Sequence, residues 1–137
     1  MEHLVLKVLN FDLSAPTSLY FLSQLTQMSN TDEKTKHLAM VSPVCLTCYS
    51  NLTLQYLCEL SLMCAEFLRF RPSEVGAGSL ALARLTTAQQ PWPAALATET
   101  EMQLTGLHDC MVLLNREHSK AGTAAQQAVR EKYKTIK

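Results

Sequence analysis

The chain has 137 residues, of which 47% are hydrophobic and 18% charged, and its formal net charge at pH 7 is zero. This length is enough for one hydrophobic core, and the apolar content is too high for a disordered protein. The balanced charge argues against binding to nucleic acid or to a membrane surface through charge, and no apolar run reaches the roughly 18 residues of a membrane span.

The composition favours helices and reduced thiols. Leu, Ala and Met are common, whereas aromatic residues make up only 7% of the chain, and this balance is typical of helices rather than sheets. Five cysteines lack the spacing of a disulfide framework, and the N-terminus lacks the pattern of a signal peptide. These features predict a nuclear and cytoplasmic protein.

The first predicted element is an amphipathic helix that ends near Asn10. No Ser, Thr, Asp or Asn precedes it to cap its free N–H groups. A helix without a start signal indicates that residue 1 lies inside a larger fold. Its apolar residues have the spacing of one helix face and are Leu4, Val5, Val8 and Leu9.

A link and a second helix follow. Residues 11–13 predict an extended link. Pro16 and Thr17 predict a helix start, because proline suits a first turn and Thr17 can cap it. Residues 29–36 are polar and predict a loop. The apolar stripe of this helix is typical of a core face and consists of Leu19, Leu22, Leu25 and Met28.

A third helix is predicted in two segments that do not join directly. Residues 37–40 begin it and residues 56–63 continue it. Between them lies Pro43, which would interrupt a helix because it lacks an N–H group and clashes with the preceding turn.

Small residues mark a fourth helix as the centre of a helical bundle. It begins at Pro72, Ser73 and Glu74, where the acidic side chain favours the helix dipole. Gly76 and Gly78 lie inside it and cost about 1 kcal/mol each relative to Ala, so close packing must compensate. The sequence therefore predicts an all-α bundle around a small-residue central helix.

Three further elements complete the predicted bundle. A short fifth helix begins at Trp92 and Pro93, and residues 126–134 predict a last polar turn. The basic residues from 130 to 137 predict a solvated terminus. A sixth helix runs to about His118, and its apolar face consists of Leu104, Leu107, Met111 and Leu114.

Cys45 and Cys48 form the one local motif that suggests chemistry. Zinc needs about four ligands, and no second pair of Cys or His follows at zinc-finger spacing. A redox pair would need a strand and helix pattern that is absent. No nucleophile motif, phosphate-binding loop or dinucleotide fingerprint occurs. We therefore expect incidental thiols, no catalytic residues, no metal, no cofactor and no small-molecule substrate, with a thiol or zinc protein as a minor alternative.

Four segments, taken in order, resemble the A-type cyclins. Residues 1–17 are similar to the junction between that family's two cyclin boxes, and residues 56–62 to the "ELSL" helix of the second box. Residues 67–73 resemble its "YLKYLPS" link, and residues 126–134 its "QQ-IREKYK" ending. The resemblance implies the cyclin fold and a regulatory, non-catalytic protein that binds a cyclin-dependent serine/threonine kinase in cell-cycle control.

The resemblance also implies a division of the chain. Residues 1–13 would be the last helix of the N-terminal box and its link, residues 14–124 the C-terminal box, and residues 125–137 a basic tail. Residues 41–55 would be an insertion, for which we hypothesise a retained intron or splicing error in the gene model. The expected protein is thus a truncated form without the N-terminal box. At Glu101 the chain also lacks a glycine that the family has at a helix end.

Four residues match kinase-facing positions of that family. The resemblance implies that Glu2 bonds backbone groups beside the regulatory helix of the kinase. Leu6 and Leu13 would form walls of a pocket for an isoleucine of that helix, with Phe11 as a neighbouring aromatic contact. On periodicity alone, Leu6 could be a core residue, and Phe11 and Leu13 could pack on the bundle. The alternative function is a stand-alone helical adaptor that binds proteins without activating a kinase.

Overall fold

The computed structural model describes residues 1–29, 54–86, 88–122 and 128–134, and the regular secondary structure in these ranges is helical. Those ranges contain no strand, which confirms the predicted all-α class. The helices are α1 (Glu2–Val8), α2 (Ser18–Ser29), α3 (residues 54–61), a 3-10 helix (Ala65–Arg69), α4 (Pro72–Thr86), α5 (Ala94–Thr100), α6 (Leu104–Lys120) and α7 (Ala128–Lys134).

Some predictions concern residues outside the described ranges. These are the loop from residue 30 to 36, the helical segment 37–40 and most of the segment 41–55, including Cys45 and Cys48. Within 41–55, residues 54 and 55 belong to α3, and Leu54 is buried in the core.

Thr17 caps α2 as predicted. The backbone N–H of Tyr20 donates to Thr17 Oγ1 at 3.3 Å, which satisfies one of the free donors of the first turn. Pro16 precedes this cap, so the helix itself begins at Ser18.

The core face of α2 differs from the predicted stripe in one residue. Leu22 and Leu25 are buried as predicted, and Met28 packs against the same core. Leu19 is 43% exposed, so its assignment to the core was wrong. The reason is that α4 meets α2 at Ser18 and Leu22, which places Leu19 at the edge of the contact face.

Helix α4 is the centre of the bundle. Every residue from Val75 to Ala83 is buried, and α4 packs against both α2 and α6. A Cβ atom at Gly76 would lie 2.9 Å from the carbonyl oxygen of Ser18 and 3.1 Å from the amide nitrogen of Leu22. The backbones of α2 and α4 therefore approach as closely as a glycine allows. This is the close packing that the two glycines were expected to require.

The other glycine of α4 faces α6. A Cβ atom at Gly78 would lie 3.1 Å from Cys110 Sγ. The adjacent Ser79 is fully buried, and its hydroxyl donates to the Val75 carbonyl oxygen at 2.8 Å. The small side chains of α4 thus fit between two helices without leaving this polar atom unsatisfied.

Two hydrophobic clusters share α4. Leu107 and Leu114 of α6 are buried as predicted, and Cys110 and Leu113 complete the buried face. Leu104, which was predicted on the same face, is exposed, so that assignment was wrong. The first cluster consists of Leu22, Leu25, Leu54, Cys58, Ala77, Leu80, Ala81, Ala83, Trp92, Leu96 and Leu107. The second consists of Leu57, Phe67, Val75, Leu82, Cys110, Leu113 and Leu114.

The ends of α5 are held by a tryptophan and a left-handed residue. The indole N–H of Trp92 donates to the Met102 carbonyl oxygen at 2.9 Å, which joins the segments before and after the helix. Pro93 is the residue before the first turn. Glu101 ends the helix with φ 56°, a conformation that glycine adopts with less strain.

The C-terminal helix contacts α3. Lys132 Nζ and the Tyr133 hydroxyl both donate to Glu59 Oε1, at 2.6 and 2.9 Å. The solvated terminus expected from residue 130 onward is therefore docked at these two residues, because a carboxylate on α3 accepts both donors.

The contact at Gly76 leads to a stability prediction. We expect Gly76→Ala to lower the free energy of unfolding by about 2 kcal/mol, because the new methyl group would meet backbone atoms that cannot move aside. Urea denaturation followed by circular dichroism measures this change.

Gly106 provides a matched control in α6, because a Cβ atom there would meet no atom within 4 Å. Gly106→Ala should raise the free energy of unfolding by about 0.5 kcal/mol through helix propensity. Equal effects of the two substitutions would contradict the close approach of α2 and α4.

The left-handed residue at the end of α5 leads to a second prediction. Glu101→Gly should raise the free energy of unfolding by about 1 kcal/mol, because it relieves a strained backbone conformation. Glu99→Gly, inside the same helix, should lower it by about 1 kcal/mol. Thermal denaturation of the two variants checks the sign, and a loss of stability in Glu101→Gly would disprove the strain.

Candidate functional site

Two of the four candidate residues lie on one face of α1. Glu2 and Leu6 are one helical turn apart and therefore neighbours on the helix surface. Among the described residues, no side chain caps the start of α1, as the sequence predicts. Glu2 lies in the first turn and Lys7 in the last, and both charges favour the helix dipole.

A Schellman turn ends α1 and brings the backbone of Phe11 beside Leu6. The N–H of Phe11 donates to the Leu6 carbonyl oxygen at 2.9 Å, and the N–H of Asn10 donates to that of Lys7 at 3.1 Å. Asn10 has φ 50°, the left-handed conformation that this turn places just after a helix. The turn satisfies two free carbonyl groups and determines where Phe11 lies relative to Leu6.

The predicted extended link is wrong at its first residue. Phe11 also has a left-handed φ, of 57°. The reason is a second turn, in which the N–H of Asp12 donates to the Leu9 carbonyl oxygen at 2.9 Å.

A local carboxylate orders the rest of the link. Asp12 Oδ1 accepts hydrogen bonds from the Ser14 hydroxyl and from its backbone N–H, the latter at 3.2 Å. These two bonds lower the pKa of Asp12. Because Leu13 lies between the two residues, its backbone is held by contacts within the link.

The candidate residues lie at the surface. Phe11 is 62% exposed and Leu13 is 65% exposed. Glu2 is exposed and Leu6 is partly buried. The purely structural explanation, in which Phe11 and Leu13 pack on the bundle, therefore does not hold for the described residues. Their kinase-facing roles stay a prediction.

The sequence pattern did not predict a groove beside α2. It has a volume of about 510 Å³ and lies between α2 and the described start of α3. Leu19 and Tyr20, both exposed, contribute to it. Tyr20 lies next to Leu19 but outside the predicted core stripe. This aromatic side chain was the signal in the sequence that could have indicated the groove. The residues that line the groove are Thr17, Leu19, Tyr20, Leu22, Ser23, Thr26, Leu54 and Gln55.

Two of the three described cysteines are buried thiols. Cys58, Cys64 and Cys110 are free thiols. Burial raises the pKa of Cys58 and raises that of Cys110 to about 12, so these two thiols are protonated at neutral pH. Within the described ranges, no group of three His, Cys, Asp or Glu side chains could hold a metal ion. In the same ranges, no helix has the length and apolar character to cross a membrane.

The exposure of the candidate residues leads to a third prediction. Phe11→Ala and Leu13→Ala should change the free energy of unfolding by less than about 1 kcal/mol, because little surface is buried at either residue. Leu22→Ala in the core should lower it by about 3 kcal/mol. Urea denaturation compares the three variants, and a core-sized loss in Phe11→Ala would show that this ring is packed.

Comparisons with known proteins identify the family. Residues 16–137 match the family model of the cyclin C-terminal domain. The chain is 38% identical over 138 residues to G2/mitotic-specific cyclin-A of Patella vulgata and 39% identical over 139 residues to cyclin-A2 of Homo sapiens. Each alignment covers 100% of this chain and 29% of the relative, so the chain spans less than a third of the length of these curated relatives.

A third relative agrees with this assignment. Cyclin-A2 of Gallus gallus is 38% identical over 138 residues, with 100% of this chain and 31% of the relative covered. The match to the family model spans both the segment predicted as the C-terminal box and the segment predicted as the tail. The chain therefore belongs to the cyclin family, contains the cyclin C-terminal domain and is similar to the A-type members.

Proposed function

We propose that this chain acts as a non-catalytic regulatory component that binds a cyclin-dependent serine/threonine kinase in cell-cycle control. Family membership supports the proposal, as do relatives described as cyclin-A2 and G2/mitotic-specific cyclin-A.

The observation that carries the proposal is the exposed surface of α1 and its link, which we name the α1 edge (Glu2, Leu6, Phe11 and Leu13). Its backbone is held by the Schellman turn and by the bonds around Asp12. An aromatic ring and a leucine are exposed on it, next to a helix that carries a carboxylate. Apolar side chains on an ordered backbone bind a partner at a low cost in conformational entropy.

The proposed mechanism is a population shift in the kinase. Protein kinases are active only when a glutamate on a mobile helix pairs with a catalytic lysine. Leu6 and Leu13 would receive an isoleucine of that helix, and the Glu2 carboxylate would accept hydrogen bonds from its neighbouring backbone. By binding the active position of the helix more tightly than the inactive one, the cyclin would raise the population of active kinase.

The size of the α1 edge limits the expected affinity. A stable protein interface buries about 800 Å² on each partner, contributed by about 20 to 30 residues. Four residues are far fewer than that. We therefore expect the 137-residue polypeptide to bind the kinase weakly and to activate it little or not at all.

Kinase binding leads to a fourth prediction. A purified cyclin-dependent kinase is passed over the immobilised chain, and binding is measured by surface plasmon resonance. Leu6→Ala should weaken binding about fivefold to tenfold, because a leucine that lines the pocket for the kinase isoleucine contributes to affinity through its buried area. Glu2→Ala should also weaken binding, since the kinase backbone would lose an acceptor.

Val8→Ala is the matched control. Val8 is 83% exposed and lies two positions from Leu6, on the opposite side of α1. It should leave binding unchanged. Strong binding that is weakened by neither Leu6→Ala nor Glu2→Ala would refute the placement of the interface at the α1 edge.

The groove beside α2 favours the adaptor as a second candidate function. Its exposed Leu19 and Tyr20 could bind an apolar segment of another protein. In the same experiment, binding that is weakened by Leu19→Ala and not by Leu6→Ala would support the adaptor instead.

The location and the domain boundaries remain part of the proposal. We expect a nuclear and cytoplasmic protein, which imaging of the tagged chain would test. The divisions after residues 13 and 124 and the insertion at 41–55 stay predictions. Sequencing of the transcript tests the insertion, because robust reads across an uninterrupted 41–55 region would disprove a splicing error.

A further inference from the structure

The C-terminal helix α7 contacts α3 at the Glu59 carboxylate. Lys132 Nζ lies 2.6 Å from Glu59 Oε1, and the Tyr133 hydroxyl donates to the same oxygen at 2.9 Å. These partners are separated by 73 and 74 residues along the chain. The contact therefore joins two distant segments.

A set of aromatic rings lies next to this carboxylate. The Tyr133 ring meets the Tyr56 ring edge to face, with centroids 5.6 Å apart. The Tyr56 ring also meets the His118 ring of α6 edge to face, with centroids 5.6 Å apart. Tyr56 is partly buried and lies between α6 and α7.

The charge states of this contact favour docking at neutral pH. The hydrogen bond from Lys132 lowers the pKa of Glu59, and the bond from Tyr133 acts in the same direction. Burial raises the pKa of Tyr133 to about 12, and the bond to Glu59 adds to this effect. Glu59 is thus an anionic acceptor, and Tyr133 is a neutral donor.

Helix α7 is shorter than a helix that is stable by itself in water. It has 7 residues, fewer than the roughly 12 to 15 that an isolated helix needs in water. Among its residues whose side chains the structure describes, none is fully buried. By contrast, α4 has 15 residues and is buried from Val75 to Ala83. Because α7 is much less buried than α4, we expect it to open locally at a lower free energy.

We propose that α7 is a detachable latch, which docks on α3 through Glu59 and undocks while the rest of the bundle stays folded. Undocking separates Lys132 and Tyr133 from Glu59 and the Tyr133 ring from the Tyr56 ring. The inference goes beyond the proposed function, because Glu59 and α7 lie outside the α1 edge.

Hydrogen exchange on the full 137-residue chain tests the latch. We compare the amides of Lys132 and Tyr133 in α7 with those of Ala77 and Ala81 in α4. In the unmodified chain, the α7 amides should exchange faster, through local opening. Glu59→Ala should speed their exchange about tenfold, the effect expected from the loss of a charged acceptor, and should leave the α4 amides unchanged.

Glu66→Ala is the matched control. Glu66 is also a surface carboxylate in an ion pair, with Oε2 2.7 Å from Arg116 Nη2, and it lies on the 3-10 helix. Its removal should not alter exchange in α7. Tyr133→Phe is a milder second variant, which removes the hydroxyl and keeps the ring, and it should speed α7 exchange by a smaller factor.

Two results would overturn the proposal. The first is an equal free energy of opening for the α7 and α4 amides of the unmodified chain. In that case α7 unfolds only together with the whole bundle and is not a latch. If α7 exchange is unchanged by both Glu59→Ala and Tyr133→Phe, the carboxylate does not hold the helix.

Discussion

The backbone contact between α2 and α4 at Gly76 is the constraint on which the rest of the bundle depends. The Ser18 carbonyl oxygen and the Leu22 amide nitrogen occupy the space that a side chain on residue 76 would need. With the two backbones this close, Leu22 and Leu25 lie in the same buried cluster as the alanines of α4. Gly78 leaves room for the Cys110 side chain of α6. Helix α4 is therefore enclosed, and the other helices take their positions from it.

The α1 edge is built differently, because its order comes from bonds within a few residues of the chain. The Schellman turn at Asn10 and the Asp12–Ser14 bonds hold its backbone without a contribution from a buried side chain of α1. Apolar residues can therefore remain exposed there at little cost to the stability of the bundle. A surface that binds a partner needs exposed apolar side chains on an ordered backbone, and the α1 edge has both. This supports the proposed kinase contact.

The C-terminal helix is an intermediate case. It makes a long-range contact, as the core helices do, but this contact is a hydrogen-bonded carboxylate at the surface rather than buried apolar area. Such contacts contribute less stability than a core and can be broken one element at a time. The chain therefore combines a closely packed centre with two peripheral helices, α1 and α7, whose surroundings differ from those of the core.

Signals that act within one helical turn can be read directly from the amino-acid sequence. Thr17, Pro72 and the glycines of α4 predicted helix starts and a central small-residue helix, because caps, proline and helical periodicity depend on near neighbours. Asn10 could also have predicted the turn that brings Phe11 beside Leu6. The sequence does not reveal that Leu22 is buried and Leu19 exposed, or that Phe11 and Leu13 lie at the surface. Nor does it reveal that Glu59 meets Lys132 and Tyr133, because these contacts form only when the helices pack together. Burial and long-range pairing depend on which distant segment lies opposite a residue, and that follows from how closely the helices approach one another.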